Sequence, residues 1–147
     1  MTGTNHALSG ALIVGAIGSP FIAIPVAFAS HFVLDALPHF GEKFGERHKL
    51  SKVIWGIDIV FLSIGLVVLL TMSSWLLIAG ALAAMSPDFA WIYRFAVIEK
   101  WGTLLPTSTN KFNTWHASIQ KYERRWGIWI EMPVLIILIV LNLKYTL

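Results

Sequence analysis

Apolar residues run almost unbroken through four stretches, Ala7–Leu37, Val53–Met72, Trp75–Ile98 and Trp126–Leu143, with polar segments between them. A helix needs about 20 residues to cross about 30 Å of hydrocarbon. The second and fourth stretches therefore match one span each, and the third matches a span that runs on into the interface. The first is too long for one plain span and is interrupted at Gly18-Ser19-Pro20. Serine followed by proline is the pattern of an N-cap and a first helical position. The pattern thus predicts a helical hairpin, with one strongly tilted helix as the alternative. The predicted helices lie at about 7–17, 20–38, 53–72, 75–98 and 126–145. In the segment before the last span, Phe112, Trp115, Ile119 and Tyr122 recur at helical spacing among polar residues. This predicts an amphipathic interfacial helix at about 110–125. The expected fold class is all-α: one polytopic helical membrane domain over 1–147, built as an N-terminal hairpin, three further spans and one interfacial helix.

Composition agrees with that pattern. Hydrophobic residues make up 56% of the 147 and charged residues only 13%, about half the charged share of a soluble domain. The mean hydropathy is +0.71. With no cysteine, thiolate nucleophiles, disulfides and zinc–thiolate sites are excluded. The net charge is +3, and its placement matters more than its size. Ten of the eleven lysines and arginines fall on one side of the predicted spans, and only Lys144 falls on the other. The basic side is then cytoplasmic. Since the N-terminus lacks a basic region before its apolar run, no signal peptide is expected. The expected location is a bacterial cytoplasmic (inner) membrane, crossed several times, with the basic loops facing the cytoplasm.

Ionisable groups inside apolar spans are costly and mark function by default. Here they are His6, His31, Asp35, Asp58, Asp88 and Glu131. At about 1.5 Å per residue, His6 and His31 stand at equal depth in the hairpin, and Asp35, Asp58 and Asp88 lie within a turn of that level. Glu131 lies nearer the inner face. His31, Asp35 and His39 follow one another at i, i+4 and i+8, which places them on one helix face. Imidazole and carboxylate are ligands of zinc and related divalent ions. Asp35 also ends its predicted helix, where the dipole disfavours a carboxylate and a bound cation would remove the conflict. The expected metal ligands are His6, His31, Asp35, His39 and Asp58. His116 sits on the amphipathic segment and reaches the same centre if that segment folds back. With Asp88 and Glu131 it forms the expected catalytic set, a spare carboxylate serving as base. The expected ion is zinc, with manganese or iron as alternatives.

The run HFVLDALPHF at 31–40, the early Thr-Asn-His and the later Ser-Pro-Asp resemble the bacterial membrane-bound metal-dependent hydrolases. The His31–Asp35 step is also similar to a metal-binding step of zinc-dependent phospholipases C. The resemblance implies that His31 and Asp35 ligate a metal that activates water on a phosphodiester, with His39 and His116 as further candidates. This chain departs from those phospholipases in its membrane spans, its shortness and its lack of a long acidic loop.

The favoured expectation is a membrane-embedded, divalent-metal-dependent hydrolase of a lipid ester or phosphoester at the inner leaflet. Water activated by the ion would be the nucleophile. Lys43, Arg47, Lys111 and Lys121 would attract an anionic lipid headgroup. The rivals are a proton or cation relay of transporter type and a structural protein whose polar cluster ties helices together. A relay needs polar groups on to the outer face, whereas Ile59–Leu70 and Val134–Val140 are almost purely apolar. HExxH, GxSxG and a phosphate-cradling glycine loop are absent. No nucleic-acid partner is expected, and pairing of the hairpin with a second copy is compatible with the pattern.

Overall fold

The computed structural model describes residues 1–41, 49–71, 74–93 and 111–145, and among them the chain is helical without a strand. The hairpin forms as α1 (Gly3–Ile17) and α2 (Pro20–Asp35). Gly18 makes the turn at φ 72°, a left-handed conformation that only glycine enters at no steric cost, and its N–H donates to the Val14 carbonyl at 2.9 Å. Ser19 stands at the N-cap position with Pro20 following, but its hydroxyl makes no capping bond. The fixed φ of Pro20, rather than a serine cap, starts α2.

Helix α2 stops at Asp35, three residues short of the predicted end. Pro38 disfavours helical geometry at Leu37 before it, so His39 leaves the helix face that His31 and Asp35 share. Helix α3 (Lys49–Thr71) and helix α4 (Trp75–Tyr93) follow; the predicted continuation of α4 to 98 lies outside the described residues. The amphipathic helix α5 covers Lys111–Ile119 and ends well before Arg125. The chain then turns through Gln120–Arg124 and a 3-10 turn at Arg125–Gly127 into α6 (Ile128–Tyr145).

Among the described residues two stretches, Val53–Thr71 and Arg125–Tyr145, are long and apolar enough to cross a bilayer, rather than the four expected. Pro20–Asp35 and Trp75–Ala90 are apolar but shorter, about 24 Å each at the helical rise. For α2 the limits are the proline that starts it and the Leu37–Pro38 break that ends it.

Helix α1 lies at the centre, against α4, α2, α6 and α3. Its approach to α4 is close because two glycines face each other. A Cβ on Gly10 would stand 2.1 Å from the Gly80 carbonyl oxygen, and one on Gly80 would stand 2.5 Å from that of Gly10. Small residues that let backbones touch are the usual means of packing helices in lipid. Around this contact, Ala11, Val14, Ala23, Ala27 and Leu77 form the apolar core. Asn142 ties α6 to α1 by donating to the Leu8 carbonyl at 3.0 Å. Among the described residues helix α3 is peripheral, with none of its apolar stretch buried. This packing gathers the start of α1, the end of α2 and the second half of α4 at one end of the molecule.

Candidate metal centre

At that end, α2 presents His31 and Asp35 on successive turns, both fully buried. The orientation of His31 comes from α4. Pro87 has no N–H to give the Ala83 carbonyl, and the Ser86 hydroxyl takes that acceptor at 2.8 Å. The next carbonyl, Ala84, accepts from His31 Nδ1 at 2.8 Å. A carbonyl only accepts, so Nδ1 carries the proton, and in the neutral ring Nε2 is a bare lone pair. A histidine that donates its far nitrogen to a backbone carbonyl is held as metal-ligating histidines usually are.

The bare nitrogen of His31 meets further acceptors. It lies 3.1 Å from Asp35 Oδ2 and 3.6 Å from Asp88 Oδ1. Helix α5 folds over this point and brings in His116, also fully buried. Its Nε2 stands 3.0 Å from His31 Nε2 and 3.0 Å from Asp35 Oδ2. Three donor atoms thus form a nearly equilateral triangle. A tetrahedral ion with ligands at about 2.0–2.1 Å sets its ligand atoms about 3.3 Å apart, within a few tenths of these edges. His31, Asp35, Asp88 and His116 together offer four ligand atoms within 4.8 Å of one another, a group that could hold a metal ion. The donor set fits one: two imidazole nitrogens and a carboxylate oxygen converge at ligand-to-ligand spacing, and imidazole and carboxylate are ligands of divalent ions.

Around this group, Gln120 donates from Nε2 to Asp35 Oδ2 at 2.8 Å. The other carboxylate oxygen, Oδ1, receives the Met1 ammonium at 2.6 Å and His6 Nε2 at 3.1 Å. The rings of His6 and His31 stack with centroids 4.0 Å apart and planes 24° from parallel. His6 Nε2 also stands 4.0 Å from Asp88 Oδ2. Asp88 is the member of the cluster that reaches the outside, its side chain 32% exposed. Two buried polar atoms beside the cluster, His6 Nδ1 and Asn5 Oδ1, have no hydrogen-bond partner among the described residues.

The other expected site residues take up different positions. Asp58 accepts the backbone N–H groups of Gly3 and Thr4 at 2.9 and 3.0 Å. It caps the positive end of α1 from a neighbouring helix. Glu131, 2% exposed, accepts the Thr2 N–H on Oε1 and the Phe40 N–H at 3.0 Å on Oε2. Both of its oxygens therefore bind backbone, and the carboxylate pins the first residues of the chain to the 39–41 segment. His39 is buried in that segment and donates from Nδ1 to Leu37 O at 2.8 Å; burial holds its imidazole below the usual range. It is not among the four clustered ligands. Lys111 and Lys121 are exposed, with the Lys121 ammonium 4.9 Å from the centre of the Tyr122 ring. Lys43 and Arg47 lie outside the described residues.

Gln120 and Asn5 were not expected at the site. Gln120 follows His116 by four residues, a spacing readable in the sequence, but nothing there shows that the chain turns back towards Asp35. Asn5 carries only its place beside His6 as a signal. Compared with family models, curated proteins and solved structures, the chain matches none.

Proposed function

We propose that this protein is a metal-dependent hydrolase of the bacterial cytoplasmic membrane, acting on a lipid ester or phosphoester at the inner leaflet. The observation that carries this reading is the donor triangle of His31, Asp35 and His116, with edges of 3.0–3.1 Å and the far nitrogen of His31 already committed to Ala84. Asp88 completes the set on the exposed side, where a substrate enters. His31, Asp35, Asp88 and His116 would hold the ion, zinc in this reading, which when bound would supply Lewis acidity and an activated water. His6 and Gln120 hold Asp35 in place, and Asp58 and Glu131 hold the start of α1, from which His6 projects. In the membrane, α3 and α6 cross the bilayer, and the shorter α2 and α4 cross it beside them. The exposed Trp115 and Phe112 of α5 rest in the headgroup layer, with Lys111 and Lys121 drawing anionic lipid.

Two features favour a hydrolase over a proton or cation relay. The ligands sit at one end of the helices, and beyond them the packing of Ala11, Val14, Ala23, Ala27 and Leu77 is apolar. A relay needs polar groups along the whole path. The test is the metal content of detergent-purified protein beside an Asp35→Asn variant. The expected result is stoichiometric metal in the wild type, its loss in the variant, and hydrolysis of vesicle lipid by the wild type alone. A wild type that stays empty after incubation with zinc, manganese and iron would overturn the reading.

A further inference from the structure

We infer that the site is binuclear: the carboxylates of Asp35 and Asp88 bridge two divalent ions, His31 and His116 serving one and His6 the other. The inference rests on the metal-dependent reading above and extends it to the number of ions and the class of substrate.

The geometry is one of paired contacts. Asp35 turns Oδ2 to His31 Nε2 at 3.1 Å and Oδ1 to His6 Nε2 at 3.1 Å. Asp88 repeats the division more loosely, with Oδ1 at 3.6 Å from His31 Nε2 and Oδ2 at 4.0 Å from His6 Nε2. Each carboxylate therefore has one oxygen on the His31 side and the other on the His6 side. The two imidazoles stack with centroids 4.0 Å apart, nearly parallel, each directing Nε2 at the same two acids. Two-metal hydrolytic sites hold their ions about 3.5–4 Å apart, the offset of these rings. Holding Asp35 in place takes only the contact to its Oδ1, whereas His6 Nε2 also approaches Asp88 Oδ2. An ion on the His6 side displaces the Met1 ammonium from Asp35 Oδ1.

The pairing narrows the substrate. Two ions side by side clamp the attacking and leaving oxygens of an in-line displacement at phosphorus. The matching ligand is a phosphoester, which presents several anionic oxygens to two cations through the opening at Asp88. A carboxylic ester offers the pair one carbonyl oxygen.

The experiment loads detergent-purified protein with manganese, removes free ion, and counts bound manganese per chain while recording its electron paramagnetic resonance spectrum. Two ions per chain and the spectrum of an exchange-coupled pair are expected. In a His6→Ala variant, one ion and the six-line spectrum of isolated manganese should remain. Inorganic phosphate added to the wild type should alter the coupled spectrum. One uncoupled ion per chain in the wild type would overturn the binuclear inference and leave the metal-dependent reading standing. No retained ion would overturn both. A coupled spectrum that phosphate leaves unchanged would overturn the phosphoester assignment. The wild-type count and spectrum do not depend on whether the variant folds.

Discussion

The two ends of the α1–α2 hairpin are built from opposite materials. Around the Gly18 turn, α1, α2 and α4 meet through Ala11, Val14, Ala23, Ala27 and Leu77, with the backbones of Gly10 and Gly80 in contact. At the other end the same helices bury His6, His31, Asp35 and, from α5, His116, all at 0% exposure. The first end packs as small residues pack in lipid. The second places ionisable groups where desolvation is expensive, which a structure sustains only if they are paired or bind a cation. The helices thus form an apolar clamp at one end and a buried polar cluster at the other.

Substitutions separate the two ends. The largest effect is expected at Asp35, which touches His6, His31, His116 and Gln120. Asp35→Ala should abolish metal binding and cost about 3–5 kcal/mol, the range for breaking a buried charged pair, read by elemental analysis and thermal unfolding in detergent. Next comes the apolar end. Gly80→Ala pushes a methyl group onto the Gly10 carbonyl and Val14 and should cost about 1–3 kcal/mol, as overpacking does, lowering the melting temperature. By separating α4 from α1 it should also weaken the site, because Asp88 and the Ala84 carbonyl ride on α4. If Gly80→Ala lowers stability and leaves metal affinity unchanged, the clamp and the cluster are independent. Gln120→Leu removes a single hydrogen bond to Asp35 and should lower metal affinity about 10–100-fold, the cost of losing an outer hydrogen-bond partner, with little change in melting temperature.

How far the sequence revealed each end depends on the range of the contacts. The apolar helices and the Gly18–Pro20 turn are local patterns; the described residues are helical and turn at Gly18, though among them two helices rather than four are long and apolar enough to span a bilayer. The His31–Asp35 step is equally local. Equal depth along two helices of known rise brings His6 beside His31 before any coordinates are known. His39 was misplaced because the helical pattern was continued through Leu37, against the restriction that Pro38 imposes. The partners of Asp58 and Glu131 could not be read at all. They are backbone N–H groups of Thr2, Gly3, Thr4 and Phe40, which every residue but proline carries and no composition distinguishes. The return of α5, which brings His116 and Gln120 to Asp35, depends on a chain reversal between Gln120 and Gly127 that has no motif of its own.

The smallest expected effect lies in that reversal. Burial pushes the Glu123 carboxyl up to about 7, against Gly41. The folded protein therefore favours its protonated form. The stability it contributes is full below its ordinary value near 4.5 and is lost as pH rises through about 7. Glu123→Gln should flatten this part of the profile, checked by thermal unfolding at about pH 5 and about pH 8. An unchanged profile would place Glu123 in solvent.

The central claim is that the buried histidines and Asp35 surround a metal ion. Zinc K-edge X-ray absorption of the zinc-loaded protein tests it most directly. The account predicts a shell of nitrogen and oxygen only, at about 2.0–2.1 Å, with the outer-shell scattering of at least two imidazoles and a spectrum that changes in His31→Ala. A zinc shell without imidazole scattering, or a spectrum identical in wild type and His31→Ala, would contradict it.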